Sequence, residues 1–471
     1  MPVLRVWLCL CAVAALTAGV AGAATINVPA DHATIQAAIE AASSGDEVVV
    51  ATGTYNERIN FNGKAITVRS TDPTNPAVVA ATIINGGNGG PVVRMGSGET
   101  ATSVLSGLTI TGGSYGGIMC YYGASPTVTY NVITGNRTPD YAYGGGMSVS
   151  GDGASPIITN NTFSNNSCAM LGKGGGLCCS TTGSPYIASN LFTGNTAETG
   201  GAAALMCPAM FANNTVRDNE ATTYGAGVYC DSRTVTLVGN TITGNASYSG
   251  AGVACFNKGM VITGNLISGN TATYGDAGGL LLVGSPSIVS GNVISNNSAT
   301  ATGGGVLCEY NSPSFINNTI SGNTARRGGG LYCYRSTWVT LSNTIIAFNG
   351  ATGLEIDTAW APVPSSVTLS YCNVYGHTTN FVNFASDPTS TNGNVSVDPL
   401  FANAAGGDFR LRSQYGRWDG MAWVLDGETS PCLDAGDPVS DYASEPQPNG
   451  GRVNVGYDGN TAYASKSADR P

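Results

Sequence analysis

The sequence predicts an all-β solenoid, a stack of short coils with three strands in each and about ten or more coils in total. The run Asn318-Thr-Ile-Ser-Gly-Asn323 recurs at 131–136, 161–166, 190–195, 214–219, 240–245, 265–270 and 292–297, with a stretched copy from Asn343 to Asn349. The copies start 24 to 30 residues apart. A fixed period of that size, made of short β-branched runs broken by Gly and Asn, marks stacked repeats. A second run, Gly-Gly-apolar-x-Cys, as in Gly328-Gly-Gly-Leu-Tyr-Cys333, follows the first in most copies. Composition agrees, since charged residues are 10% of the 471 and glycines number 66, against roughly 25% charged in an average chain. Stacked coils repeat every ~4.8 Å, and a row of like charges at that spacing would repel itself.

Residues 1–23 read as a secretory signal peptide. Arg5 supplies the positive start, Val6 to Val20 the apolar core, and Ala21-Gly22-Ala23 the small-residue cleavage site. The expectation is a secreted or cell-surface protein with no transmembrane segment after cleavage. Residues 24–104 are assigned to an N-terminal cap and the first coils. A solenoid exposes the apolar cross-section of its first coil, so something must cover it. Ile35, Ala38, Ile39 and Ala42 share one helical face, with Thr34 or Asp31 to cap the start and Gly45-Asp46 to end it. This short amphipathic helix is the expected cover.

The opening residues resemble a known group. Thr34-Ile-Gln-Ala-Ala-Ile, Gly45-Asp46 and Gly53-Thr-Tyr-Asn-Glu57 are similar to the start of pectinesterases and of many pectate-lyase-like proteins. The resemblance implies a right-handed parallel β-helix. It does not extend to the catalytic motifs of pectinesterases or polygalacturonases, which do not occur in the chain.

Residues 105–371 are the β-helix repeats. In each coil one strand is the Asn-x-Ile-x-x-Asn run and one the Gly-Gly-apolar-x-Cys run. The third strand is often opened by Ser-Pro, as at Ser155-Pro156 and Ser312-Pro313, a position that leaves the later ladder bonds intact. Alternation sends Ile133, Phe163, Phe192, Val216, Ile242, Ile267, Ile294 and Ile320 to one interior row. Residues 372–471 lose the repeat and form an irregular C-terminal capping region. Asp398-Pro-Leu-Phe401, Ser430-Pro-Cys-Leu-Asp-Ala-Gly-Asp-Pro438 and Asn449-Gly-Gly-Arg-Val-Asn-Val-Gly456 resemble the C-terminal region of choice-of-anchor Q proteins, which implies a bacterial surface or secreted protein.

Aligning the copies sorts the candidate chemistry. Cys120, Cys179, Cys230, Cys255, Cys308 and Cys333 fall in one column with Val149, Ala204, Leu282 and Ile356, so they read as buried thiols in an apolar row. Cys178 points outward by alternation, and if any two cysteines pair, Cys372 and Cys432 in the tail are the best candidates. The repeated asparagines read as left-handed turn residues and amide ladders, not as glycosylation acceptors. With only His32 and His377, histidine-based chemistry has almost no material, and no metal site is assigned. No cofactor is expected beyond a Ca²⁺ held by Asp434, Asp437 and Asp441, whose spacing carboxylate ligation would tolerate.

Two features depart from the repeat. The loops before each Gly-Gly present Tyr143, Lys173, Glu198, Tyr224, Tyr248, Tyr274 and Arg327, read as one exposed line along the axis that fits an extended polymer. Near the last coils, Glu309, Tyr310, Arg327, Tyr334, Arg335, Glu355 and Asp357 gather in sequence-aligned positions. Glu309 and Asp357 align two coils apart, roughly 9–10 Å at the coil rise, close to the separation used by inverting glycosidases. Arg335 is placed between them, and Glu309, Arg335 and Asp357 form the candidate catalytic set.

The net charge of −10 disfavours nucleic acid and anionic membranes as partners. The expected function is non-catalytic binding of an extended polysaccharide by a monomer, through Tyr143, Tyr224, Tyr248, Tyr274, Arg327 and Tyr334. The alternatives are a polysaccharide lyase or glycoside hydrolase acting on a uronate-containing glycan, and a structural or adhesive rod.

Overall fold

The computed structural model describes residues 22–232, 234–256, 259–284, 286–358 and 365–468, so the signal-peptide reading lies outside the described residues except for Gly22 and Ala23. Three parallel sheets run the length of the body. The first has 14 strands, from Thr25–Val28 to Ser366–Ser370, and holds the strands after Ser-Pro. The second, the Asn sheet, has 13, from Gly53–Tyr55 to Asn373–Tyr375. The third, the Cys sheet, has 13, from Ile59–Asn60 to Thr379–Val382. One strand of each per coil makes the right-handed parallel β-helix of about thirteen turns. Among the described residues no helix is long and apolar enough to cross a membrane.

The middle coils differ from the expected three strands. A fourth sheet of seven short strands, from Arg137–Thr138 to Ser298–Ala299, lies between the Asn and Cys sheets. It buries a row of small side chains, Ala197, Ala221, Ser247, Ala272 and Ala299. Such strands are too short for alternation to reveal them. The turn that follows is tight, because a Cβ at Gly278 would lie 2.4 Å from the Ser298 carbonyl oxygen.

Asparagine holds the corners. In one ladder the side-chain amides of Asn131, Asn161, Asn190, Asn214, Asn240, Asn265 and Asn292 each donate to the Oδ1 one coil on, at 2.9–3.1 Å. Each Oδ1 also accepts the backbone N–H of the previous ladder residue, as from Asn240 to Asn265 at 2.9 Å. A parallel ladder runs from Asn136 through Asn219 and Asn270 to Asn349 and ends on His377 Nε2 at 3.3 Å. The left-handed backbone belongs to the residue before the ladder position, for example Asn160 (φ 56°), Asn165 (φ 52°) and Asp218 (φ 57°). Asn343 corrects the expected pattern. It takes that left-handed place (φ 49°) and Thr344 stands in the ladder, accepting from Asn318 N at 3.3 Å.

The bore is filled as the alternation requires. Phe163 and Phe192 stack at 4.8 Å with planes 6° apart, between Ile133 and Val216, all fully buried. The helix α1, Ile35–Ala41, buries Ile35, Ala38 and Ile39 over the first coil. Its free N–H groups at Ile35 and Gln36 donate to the Glu57 carboxylate at 2.9 Å. Lys64 Nζ donates to the Ile39, Glu40 and Ala42 carbonyls at its other end. A second helix, α2 (Pro76–Ala81), has no counterpart in the sequence reading and is capped by Asn75.

All eleven cysteines of the described residues are free and buried. The column of six is as aligned, with one register correction. Cys179 pairs with Leu205 and Leu205 with Cys230, so Ala204 is on the outward row beside Cys178. Cys178 points outward yet is buried in a second apolar cluster. The candidate pair Cys372 and Cys432 is not bonded. Cys372 is in the bore and Cys432 in a separate core, with its Sγ receiving Asn373 Nδ2 at 3.1 Å.

Phe384 packs against the bore and Asn394 binds Cys372 N at 2.9 Å, so this segment closes the last coil. The rest of the tail folds back along the outside of the Asn sheet. Phe401, Phe409, Leu411, Cys432, Leu433 and Val455 pack there on Val293, Ile345 and Ala347. Asn343, having left the ladder, accepts Asp437 N at 2.7 Å and donates to Ser440 Oγ at 3.0 Å.

Three outcomes follow from the ladder and the buried thiols. Asn219→Ala leaves the backbone N–H of Asn195 and one of its two side-chain amide hydrogens without acceptors and should cost about 3 kcal/mol or more, read as a lower urea midpoint. Asn165→Gly, at an exposed left-handed position, should stay within about 0.5 kcal/mol. Native protein should show no reaction of any of its eleven buried cysteines with a thiol reagent until denaturant is added.

Candidate functional site

The outward row of the Cys sheet is where the repeat stops being inert. Cys178, Ala204, Tyr229, Ala254, Leu281, Leu307 and Tyr332 form, with Ala277, an apolar cluster outside the bore. Seven side chains in one outward row cannot all face water without large cost, and two walls shelter them. On one side stand the ends of the fourth-sheet strands and the loops that follow them, carrying Tyr224, Ser249, Asp276, Thr302 and Arg327. On the other stand the strand ends, carrying Phe256, Val283, Glu309, Tyr334 and Asp357. Between them the trough opens into a cavity of about 350 Å³ over Leu281, Leu307 and Tyr332.

Of the predicted residues, Tyr224, Glu309, Arg327, Tyr334 and Asp357 line this cavity together. Arg335 is not between Glu309 and Asp357. Its Nη1 reaches Glu309 Oε1 at 3.1 Å and its guanidinium sits 4.5 Å from the Tyr334 ring centre. Arg335 and Ser336 both adopt left-handed backbone (φ 47° and 50°), a costly pair for residues with a Cβ. The residue between the two acids is Tyr334, which pairs in register with Glu309.

Arg327 organises the other end. Its Nε meets Glu355 Oε1 at 2.6 Å, its Nη1 meets Asp357 Oδ2 at 3.4 Å, and its guanidinium lies 5.1 Å from the Tyr332 ring centre. Glu355 is 5% exposed, and its second oxygen accepts Gly328 N at 2.8 Å. The Tyr332 hydroxyl donates to Asp357 Oδ2 at 2.5 Å, and burial raises its own pKa. Burial also raises the Glu309 carboxyl above the usual range, although Arg335 pulls it back. Asp276, missed in the sequence reading, accepts Thr302 N at 3.0 Å and Thr302 Oγ1 at 2.6 Å.

The tyrosine line resolves into two rows. Tyr143, Lys173, Thr199, Tyr224 and Ser249 stand in register, with a bulge between Ala197 and Thr199. Tyr248 is one residue out of that row and stacks on Tyr274 at 6.3 Å. Of the four tyrosines in that line only Tyr224 enters the cavity wall, where its ring packs edge-on to Phe256 at 5.2 Å. The signal for the floor was present in the sequence: Leu281 and Leu307 at outward positions require a cover.

The Ca²⁺ trio does not gather. Asp437 accepts Val439 N and Asp441 accepts Ala443 N, each closing its own turn, whereas Asp434 is buried. Among the described residues no three His, Cys, Asp or Glu side chains form a metal cluster.

A family described as "right handed beta helix region" matches residues 34–205, 140–267 and 170–293, together more than half of the chain. A second, described as "disaggregatase related", matches 340–436. No curated protein matches. Among solved structures, the crystal structure of pectate lyase Pel9A is similar over 93% of this chain and 97% of its own, at 13% identity and TM-score 0.39.

Arg327→Ala would leave Glu355 buried without its cation. Losing one partner of a fully buried pair costs about 3–5 kcal/mol. Because Arg327 is 38% exposed, water screens part of this, and a loss of about 2–3 kcal/mol is expected. Urea unfolding of Arg327→Ala, with Arg327→Lys recovering part of the loss, checks it.

Proposed function

Because the chain belongs to the right-handed β-helix family, with an outer face that runs unbroken along the stack, we propose that it is an exported, non-catalytic binder of an extended polysaccharide. The observation that carries this reading is the sheltered apolar row outside the bore, a linear floor bordered by Tyr224 and Tyr334. Sugar rings present apolar faces to aromatic and aliphatic side chains and hydroxyls to a polar rim, and this trough supplies both.

Charge narrows the ligand. Among the described residues, Asp276, Glu309, Glu355 and Asp357 share this end of the trough with Arg327 and Arg335, so two formal negative charges are in excess there. That excess repels a polyuronate and favours a neutral glycan. Both members of the acid pair are also engaged, Asp357 by Tyr332 and Arg327, Glu309 by Arg335. That engagement supports binding over cleavage. One observation favours a second reading, a glycoside hydrolase: the raised Glu309 carboxyl is a suitable proton donor.

Affinity electrophoresis against xylan, glucomannan, pectate and alginate tests the proposal. Retardation by a neutral glycan, weakened about tenfold by Tyr224→Ala or Tyr334→Ala, is expected. No retardation by any glycan would sink it and leave a structural rod. New reducing ends that vanish in Glu309→Gln and Asp357→Asn would instead establish the hydrolase.

A further inference from the structure

The tail segment that lies along the flank buries more carboxylate oxygen than it satisfies. Glu445 and Asp458 are each 4% exposed. Glu445 Oε1 accepts the backbone N–H groups of Asn454 at 2.9 Å and Asn460 at 2.8 Å. Its Oε2 and both carboxylate oxygens of Asp458 have no hydrogen-bond partner. The two acids share one turn system, since the residues that bind Glu445 bracket Asp458 in sequence. Burial pushes both up to about 7, with the charge of Glu445 adding to the shift at Asp458 and that of Asp434 adding at Glu445. Arg410, the cation that acts on Asp458, is bonded through Nε and Nη2 to Asp408 at 2.7 and 3.0 Å.

Desolvated carboxylate oxygens without partners are among the costliest groups a fold can hold. A proton would satisfy one of the three oxygens and would itself need an acceptor. A hard divalent cation can take all three at once, two of them from a bidentate Asp458. Ca²⁺ accepts mixed shells of carboxylates, main-chain carbonyls and water with irregular geometry, whereas Mg²⁺ demands a near-ideal octahedron. Because no third acidic, His or Cys side chain converges among the described residues, carbonyl groups of the turn and water would complete the shell. We propose that the tail holds one Ca²⁺-class cation between Glu445 and Asp458, and that this ion fixes the tail against the flank of the solenoid. Neither residue belongs to the Asp434, Asp437 and Asp441 trio that the sequence pattern favours.

The test uses the full chain, stripped with chelator and titrated with CaCl₂ or MgCl₂. About one Ca²⁺ per chain should remain after gel filtration in millimolar CaCl₂, measured by elemental analysis. The apparent Tm should rise by about 3 °C or more with Ca²⁺, and less with Mg²⁺. Asp458→Asn and Glu445→Gln should lose both the bound ion and the response. Their Tm in chelator should equal or exceed that of the stripped parent, because a buried negative charge has gone. Folded variants that still retain the ion would overturn the assignment. If the variants do not fold, the parent alone decides: no retained Ca²⁺ and no Tm rise would overturn it.

Discussion

Every coil of this molecule must be chemically compatible with a near copy of itself one strand spacing away. At ~4.8 Å a side chain meets its equivalent above and below, so a residue succeeds only if it bonds to its own kind or ignores it. Asparagine does the first. Its amide donates to the next Oδ1 while that Oδ1 takes the backbone N–H of the residue below, as in Asn214, Asn240 and Asn265. Buried polar groups at two corners of each coil are thereby satisfied with one residue type. The aliphatic and cysteine rows do the second, filling the bore without directional demands. The low charge content is a consequence of the same rule.

The rule also explains how charge enters at all. On the row that carries Glu309, the residue in the next coil is Tyr334, and the acid of Asp357 comes one coil later. Glu355 follows Tyr332 on the neighbouring outward row. Aromatic rings separate the carboxylates, and each guanidinium lies against a ring while bonding an acid, Arg327 over Tyr332 and Arg335 over Tyr334. Alternation of this kind lets one end of the trough concentrate acids that a uniform stack would forbid. It also means that most of the ionic strength of the site is spent internally, and the ligand meets a polar rim over an apolar floor.

The period made the coils, the bore residues and the ladders legible, because a stacked fold writes the same environment repeatedly. Readings failed where the copy changed length. The short coil Gly200-Gly-Ala-Ala-Ala offers three equivalent alanines, and only strand pairing shows that Leu205, not Ala204, continues the cysteine row. One extra residue before Tyr224 displaced Tyr248 from the tyrosine row. The cavity was half legible: the charges stood out as departures from the pattern, but Asp276 follows a loop longer than that of the preceding coil, which hides that it shares the row of Ser249 and Thr302. Nothing in the tail indicates that it runs back along the Asn sheet, since its partners Val293 and Ile345 sit more than a hundred residues upstream of Val455.

That arrangement of the tail follows from a departure in the ladder itself. Where Thr344 replaces asparagine, the ladder bond lengthens to 3.3 Å and one amide fewer is locked into the stack. Asn343, shifted to the left-handed corner, turns its side chain outward and takes Asp437 N and Ser440 Oγ. Close by, Tyr457 N donates to Thr319 Oγ1 and Gly456 N to the Asn343 carbonyl. The outward residues of that stretch include Val293, Ile345 and Ala347, and Ala347 stands where Ser268, Ser295 and Ser321 precede it. A weakened ladder and an apolar flank therefore coincide in the same coils, and each is compensated by the tail. The segment of irregular backbone is thus a lateral support for the last coils, and those are the coils that carry the charged end of the trough.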